Sequence, residues 1–219
     1  MKKRILLGAS AIIVALVAII FGPELLDLYR LQRYIGASAE AYRSDKGPWP
    51  HPTDTCIGCH GVNGNSQNQA YPSLAGQPAP YLADQLHKFA GGQRANPNMG
   101  PLAMTMSESE IKLLADHFAK QPVGENRSFE PDPGLREKGR QLVEKGACAA
   151  CHGARLMGHD QFPRLAGQGY DYLLAQFGAF AVGTRSESTG MMKNIAIAAS
   201  PEDRKAIATY LASLAPENK

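Results

Sequence analysis

The chain has 219 residues, 44% of them apolar, a formal charge of +3, four cysteines and no low-complexity tract. That length leaves room for two compact domains of about 90 residues each behind an apolar N-terminus, small for domains that lack a stapling cofactor. A formal charge of +3 invites a basic-patch reading, but nucleic acid is not indicated as a partner.

Met1-Lys2-Lys3-Arg4 leads into Ile5 to Gly22, 18 residues without a charge. The run reaches the lower edge of a membrane-spanning length and exceeds the roughly 7–15 apolar residues of a signal-peptide core. Residues 1–22 are therefore predicted to form a retained transmembrane helix, single-pass in the inner (cytoplasmic) membrane, with the rest of the chain facing the periplasm. The triplet Ala37-Ser38-Ala39 lies too far past the apolar run, behind Glu24, Asp27, Arg30 and Arg33, to act as a cleavage site. Residues 23–47 are expected to form a juxtamembrane helix and connector, because Leu25, Leu28, Tyr29 and Leu31 cluster at near-helical spacing; this helix is expected to pack on the first domain or on a partner.

The first domain, 48–120, opens with Pro48, Pro50 and Pro52 around Trp49, a proline density that excludes a regular helix and leaves the tryptophan as a packing residue. Cys56-Ile57-Gly58-Cys59-His60 follows. Two thiols three residues apart with an imidazole directly behind them are what two thioether bonds and an axial iron ligand for haem require. Pro80 to Ala90 reads as a helix, with proline at its first position, a face of Tyr81, Leu82, Gln85, Leu86 and Phe89, and Gly91-Gly92 as its stop. Ser107 and Glu110 form a capping box for a helix reaching Phe118.

Residues 121–134, with three prolines and two glycines, read as a short, stiff linker that brings two domains face to face. The second domain, 135–219, then repeats the first. Leu135 to Lys145 is a predicted helix ahead of Cys148-Ala149-Ala150-Cys151-His152, so the two entrances differ. Pro72-Ser73-Leu74-Ala75-Gly76-Gln77, Tyr81, Gln85, Phe89 and Arg94 recur without a gap as Pro163-Arg164-Leu165-Ala166-Gly167-Gln168, Tyr172, Gln176, Phe180 and Arg185. A helix from about Tyr170 to Val182 and another from Ser200-Pro201 to Leu214 complete the copy. The chain is a tandem duplication of one helical haem module. The doubled spacing, with histidine adjacent to the second cysteine and no β-branched alternation nearby, sets aside a thioredoxin-like pair, a structural zinc site and a pair of disulfides. Two haems would add about four propionates, so the formal charge is no guide to partners.

The iron needs a sixth ligand. His159 is the last histidine and lies seven residues beyond His152, which leaves Met191 and Met192 in a glycine-preceded loop. Met99 occupies the equivalent loop of the first module. Met99 lies eight residues before Ser107 and Met192 eight before Ser200, a shared register that selects Met192 over Met191. Met104 and Met106 align with apolar Ile197 and Ala199 and are expected to fill the core. His87 and His117 align with Gly178 and Tyr210 and read as solvated helix positions.

The paired C-x-x-C-H sites, the P-x-L-A-G-Q segments, the helix beginning Y-L and the G-x-R loop leading to methionine together resemble dihaem class I cytochromes c of the cytochrome c4 type, over about residues 56 to 214. The resemblance implies an all-α fold of two tandem cytochrome c domains and two covalently bound haem c groups, on Cys56 and Cys59 and on Cys148 and Cys151. It implies axial pairs His60 with Met99 and His152 with Met192. It also implies that the carbonyls of Pro72 and Pro163 orient the histidines, that Arg94 and Arg185 lie near propionates, and that Leu74, Tyr81, Leu165 and Tyr172 border the haems. Such a protein is an electron carrier rather than an enzyme, taking electrons from a quinol-oxidising complex or dehydrogenase and passing them to a terminal oxidase. Two features depart from the family: the apolar N-terminus, where members are commonly soluble or lipid-anchored, and the proline-rich entrance to the first module. The alternatives are a fixed subunit of a membrane dehydrogenase or oxidase complex and, less favoured by the paired methionines, a dihaem peroxidase or thiosulfate-oxidising enzyme.

Overall fold

The computed structural model describes residues 19, 21–37, 39–40 and 51–217. The chain divides into one unit ending at Pro48 and another beginning at Trp49. In the first unit residues 21–37 are helical, and Arg30 pairs with Asp27 at 3.1 Å along that helix.

The expected transmembrane helix and single-pass placement in the inner membrane are corrected here: no helix among the described residues is long and apolar enough to cross a membrane. The described helix carries Glu24, Asp27, Arg30 and Arg33, and charges of this kind each cost about 2.5–3.5 kcal/mol near a bilayer centre. Residues 1–18 and 20 of the expected span, and also Trp49, lie outside the described residues.

The second unit is built from helices. The first module contains α1 (Asp54–His60), a 3₁₀ turn (Val62–Gly64), α2 (Ala79–Ala90), α3 (Met99–Met104) and α4 (Glu108–Lys120). The second contains α5 (Pro133–Lys145), α6 (Ala149–His152), α7 (Tyr170–Val182), α8 (Met191–Ala198) and α9 (Pro201–Ala212). Among the described residues the β content is one isolated bridge between His159 and Phe162. The two methionine segments, expected as loops, instead start the short helices α3 and α8.

Local chemistry sets the helix starts. Asp132 accepts from the Leu135 N–H at 2.8 Å, so α5 begins inside the expected linker. Ser200 accepts from Asp203 at 3.1 Å with Pro201 at the first helical position. In α4 the Ser107 hydroxyl accepts from the Glu110 N–H, and the Glu110 carboxylate accepts the Ser107 N–H at 2.7 Å. Ser107→Ala is expected to lower the stability of the first module by about 1 kcal/mol, read as a lower urea midpoint with unchanged slope.

The second module has the larger core, in which Val143 of α5, Phe177 and Phe180 of α7, and Ile207 and Leu211 of α9 meet. In the first, Leu82, Leu114, Ala115 and Phe118 form a smaller cluster. In both modules the P-x-L-A-G-Q segment turns back onto the last helix. Gly76 and Gly167 have φ of 64° and 65°, a conformation that costs other residues a Cβ clash. Their N–H groups donate to the carbonyls of Phe118 and Leu211, each at 2.9 Å. The turn sends the next residue, Gln77 or Gln168, into the boundary between the modules.

Candidate functional site

Helical spacing puts Cys56, Cys59 and His60 on one face of α1, and all three line a cavity of about 250 Å³. Met99, Pro72, Leu74, Tyr81 and Arg94 line the same cavity, as do Gln168 and Tyr172 of the second module. His60 is buried, and its Nδ1–H donates to the Pro72 carbonyl at 2.8 Å. In the second module His152, also buried, donates from Nδ1 to the Pro163 carbonyl at 2.9 Å. A carbonyl has no proton to give, so these bonds fix the tautomer and leave each Nε2 with its lone pair. Burial lowers the pKa of both imidazoles against the opposing pull of the carbonyls, keeping them neutral at neutral pH. Burial also pushes the Cys56 and Cys148 thiols up, and none of the four cysteines is in a disulfide.

Cys148, Leu165 and Met192 pack against the core of the second module. Each candidate methionine is anchored by a side chain just upstream: the Met99 N–H donates to Asn96 Oδ1 at 2.8 Å, and the Met192 N–H to Glu187 Oε1 at 3.1 Å. Met191 is exposed. Met104, expected in the core, is 70% exposed at the end of α3, and its counterpart Ile197 in α8 is 58% exposed. Met106 packs against the first core. His87 faces Glu108 at 3.5 Å on an exposed edge. Neutral imidazole nitrogen, soft thioether, paired thiols and an apolar wall form a donor set that fits a porphyrin-bound iron.

The remaining repeated residues meet one another across the module boundary. Arg94 donates to Gln85 of its own module at 2.8 Å, and to Tyr172 and Gln176 of the other at 3.0 and 2.9 Å. Arg185 mirrors it, donating to Gln176 at 2.7 Å and to Tyr81 and Gln85 at 3.0 and 3.1 Å. This is an isologous contact within one chain: a patch that complements its own copy must be present twice. Recurrence of these residues in the sequence was the available signal, but recurrence alone does not separate a haem contact from a contact between modules.

Sequence reasoning missed the roles of four further residues. Gln77 and Gln168 cross between the modules. Asn126 of the linker bonds Gln69 of the first module and the carbonyls of Gln168 and Ala212 in the second. Arg164 is 1% exposed and donates to the carbonyls of Ala75 and Ala166. Among the described residues no carboxylate pairs with it, and burial lowers its pKa to about 10, still charged at neutral pH. Its twin in the repeat is Ser73, and that break in symmetry was legible as an unexplained arginine.

A family model described as cytochrome c matches residues 51–120 and 136–215. A protein described as a thiosulfate dehydrogenase electron acceptor from Thiomonas intermedia is 37% identical over 175 residues, covering 75% of this chain and 80% of that protein. Cytochrome c4 of Thiocapsa roseopersicina is 36% identical over 170 residues, covering 73% and 86%. The crystal structure of reduced recombinant cytochrome c4 from Pseudomonas stutzeri superposes with a TM-score of 0.68 at 30% identity, covering 74% of this chain and 95% of that one.

Proposed function

Because the chain belongs to the cytochrome c family, as a cytochrome c4-like electron-transfer protein with two covalently bound haem c groups, we propose that it passes single electrons between respiratory-chain components and delivers them to a terminal oxidase. The observation that carries the reading is the doubled arrangement of a buried histidine behind a CxxC pair, with Nδ1–H tied to a proline carbonyl. Cys56 and Cys59 would hold the first haem and His60 and Met99 its iron; Cys148 and Cys151 would hold the second, with His152 and Met192. The two haem domains are 48–120 and 135–219, joined by 121–134.

When bound, each haem supplies a centre that stores and releases one electron. The chain's own residues confine it to that. Burial keeps each imidazole neutral, and the proline carbonyl holds its plane and tautomer. With His60 and Met99, or His152 and Met192, as its two protein ligands, each iron would be favoured in its reduced form and would be kept from binding substrate. The apolar wall of Leu74, Leu82 and Phe89 keeps water away and leaves little to reorganise on electron transfer.

A second reading follows from the Thiomonas relative: the donor is a thiosulfate dehydrogenase. Stopped-flow mixing separates the two. The reduced holoprotein is expected to bind no carbon monoxide and to be oxidised within milliseconds by a purified terminal oxidase. Carbon monoxide binding to the wild-type protein would sink the six-coordinate reading. Fast reduction by thiosulfate dehydrogenase with thiosulfate, without turnover by the oxidase, would favour the second.

A further inference from the structure

We propose that Gln168 and Gln77 are positioning residues that tune the iron ligands of the opposite module, Gln168 acting on His60 and Gln77 on His152. The inference rests on the reading of those histidines as axial ligands.

The geometry runs through one peptide group on each side. The Pro72 carbonyl accepts from His60 Nδ1 at 2.8 Å, and the N–H of that same peptide, on Ser73, donates to Gln168 Oε1 at 2.7 Å. Gln168 Nε2 donates back to the Ser73 carbonyl at 2.9 Å, which fixes the amide's orientation. The mirror image holds in the second module. The Pro163 carbonyl accepts from His152 Nδ1 at 2.9 Å, the Arg164 N–H of that peptide donates to Gln77 Oε1 at 2.9 Å, and Gln77 Nε2 donates to the Arg164 carbonyl at 3.0 Å. Both glutamines are buried, so water does not compete for these bonds.

Hydrogen bonds in series polarise one another, and more so where the dielectric is low. An acceptor on the N–H of a peptide enriches its carbonyl oxygen in electron density. A richer carbonyl pulls harder on the imidazole Nδ1–H and makes Nε2 a stronger donor to iron. A stronger donor stabilises the oxidised iron. Each glutamine thereby lowers the potential of a haem that its own module does not carry. Pinning the modules together would be served by any pair of amides at the boundary, whereas both glutamines select the one amide that orients the ligand.

The test is a redox titration of the holoprotein in which the two haems are followed separately by their paramagnetically shifted NMR signals. Gln168→Leu is expected to raise the potential of the first haem, giving a several-fold larger ferrous-to-ferric ratio at fixed poise, and to leave the second in place. Gln77→Leu is expected to do the reverse. In the reduced protein the Nδ1–H proton of the opposite histidine moves upfield as its bond weakens. Equal shifts of both haems, a shift confined to the variant's own module, or no shift would overturn the proposal. Should the leucine variants fail to fold, Gln168→Glu and Gln77→Glu keep the acceptor and add charge. The expected result is then a fall in potential, larger in the opposite module than in the variant's own; a fall that is equal, or larger in its own module, would overturn it. A wild-type holoprotein lacking axial imidazole resonances would instead sink the underlying ligand assignment, a failure distinguishable from that of the relay.

Discussion

Met99→Leu is expected to lower the potential of the first haem by a few hundred millivolts, given that axial ligation spreads haem potentials over about 0.8 V, while the second haem keeps its own. Leucine has nearly the volume of methionine and leaves the apolar wall intact, so the change isolates the thioether. Without that soft ligand the reduced state loses its stabilisation and the iron gains an open position. The reduced variant should therefore bind one carbon monoxide per chain, where the wild type binds none. Met192→Leu should do the same at the second haem. Met106, which lines the same cavity as Met99, is the informative control. If Met106→Leu opened the first iron and Met99→Leu did not, the ligand would be Met106 and the register argument from the capping serines would fail.

Gly139→Val is expected to destabilise the second module by about 3 kcal/mol or more, near the upper end of what overpacking costs. Gly139 lies where α5 crosses α9, and a Cβ there would sit 2.0 Å from the Ala206 carbonyl oxygen and 2.8 Å from the Tyr210 Cβ. The nearest obstacle is backbone, so no rotamer change relieves it and the two helices must part. Since α5 and α9 enclose Val143, Ile207 and Leu211, the core opens with them. Thermal unfolding followed by circular dichroism should show a midpoint lower by about 10–20 °C for a domain of this size. Gly178 in α7 serves as the counterpart, because a Cβ there meets nothing within 4 Å. Gly178→Ala should raise stability by about 0.5–1 kcal/mol through helix propensity. Equal midpoints for the two variants would contradict the close approach of α5 and α9.

Most of the helices were legible because their signals are local. Ser107 with Glu110, and Ser200 with Pro201, act within one turn. The run from Tyr170 to Val182 matches its predicted bounds, while the linker yielded two residues to α5 because the Asp132 cap lies inside it. The methionine segments were misread as loops: six- and eight-residue helices are too short for a periodic pattern to show. The membrane-spanning expectation rested on the uncharged run from Ile5 to Gly22 and on the lack of a cleavage site close behind it. The described helix lies mostly beyond it and carries four charged residues.

By itself the sequence determined the duplication, the all-helical module and the chemistry of its donor atoms, since these follow from residue types and short spacings. The tertiary structure alone decided what the repeated polar residues do. Gln77 and Arg164, or Arg94 and Tyr172, lie more than 75 residues apart along the chain, and no periodicity links them. They meet because a duplicated patch facing its own copy pairs each residue with the twin of the residue that its own twin contacts, as Arg94 with Tyr172 and Arg185 with Tyr81. The same packing encloses Arg164 among carbonyls and places each boundary glutamine on the peptide that orients the other module's histidine.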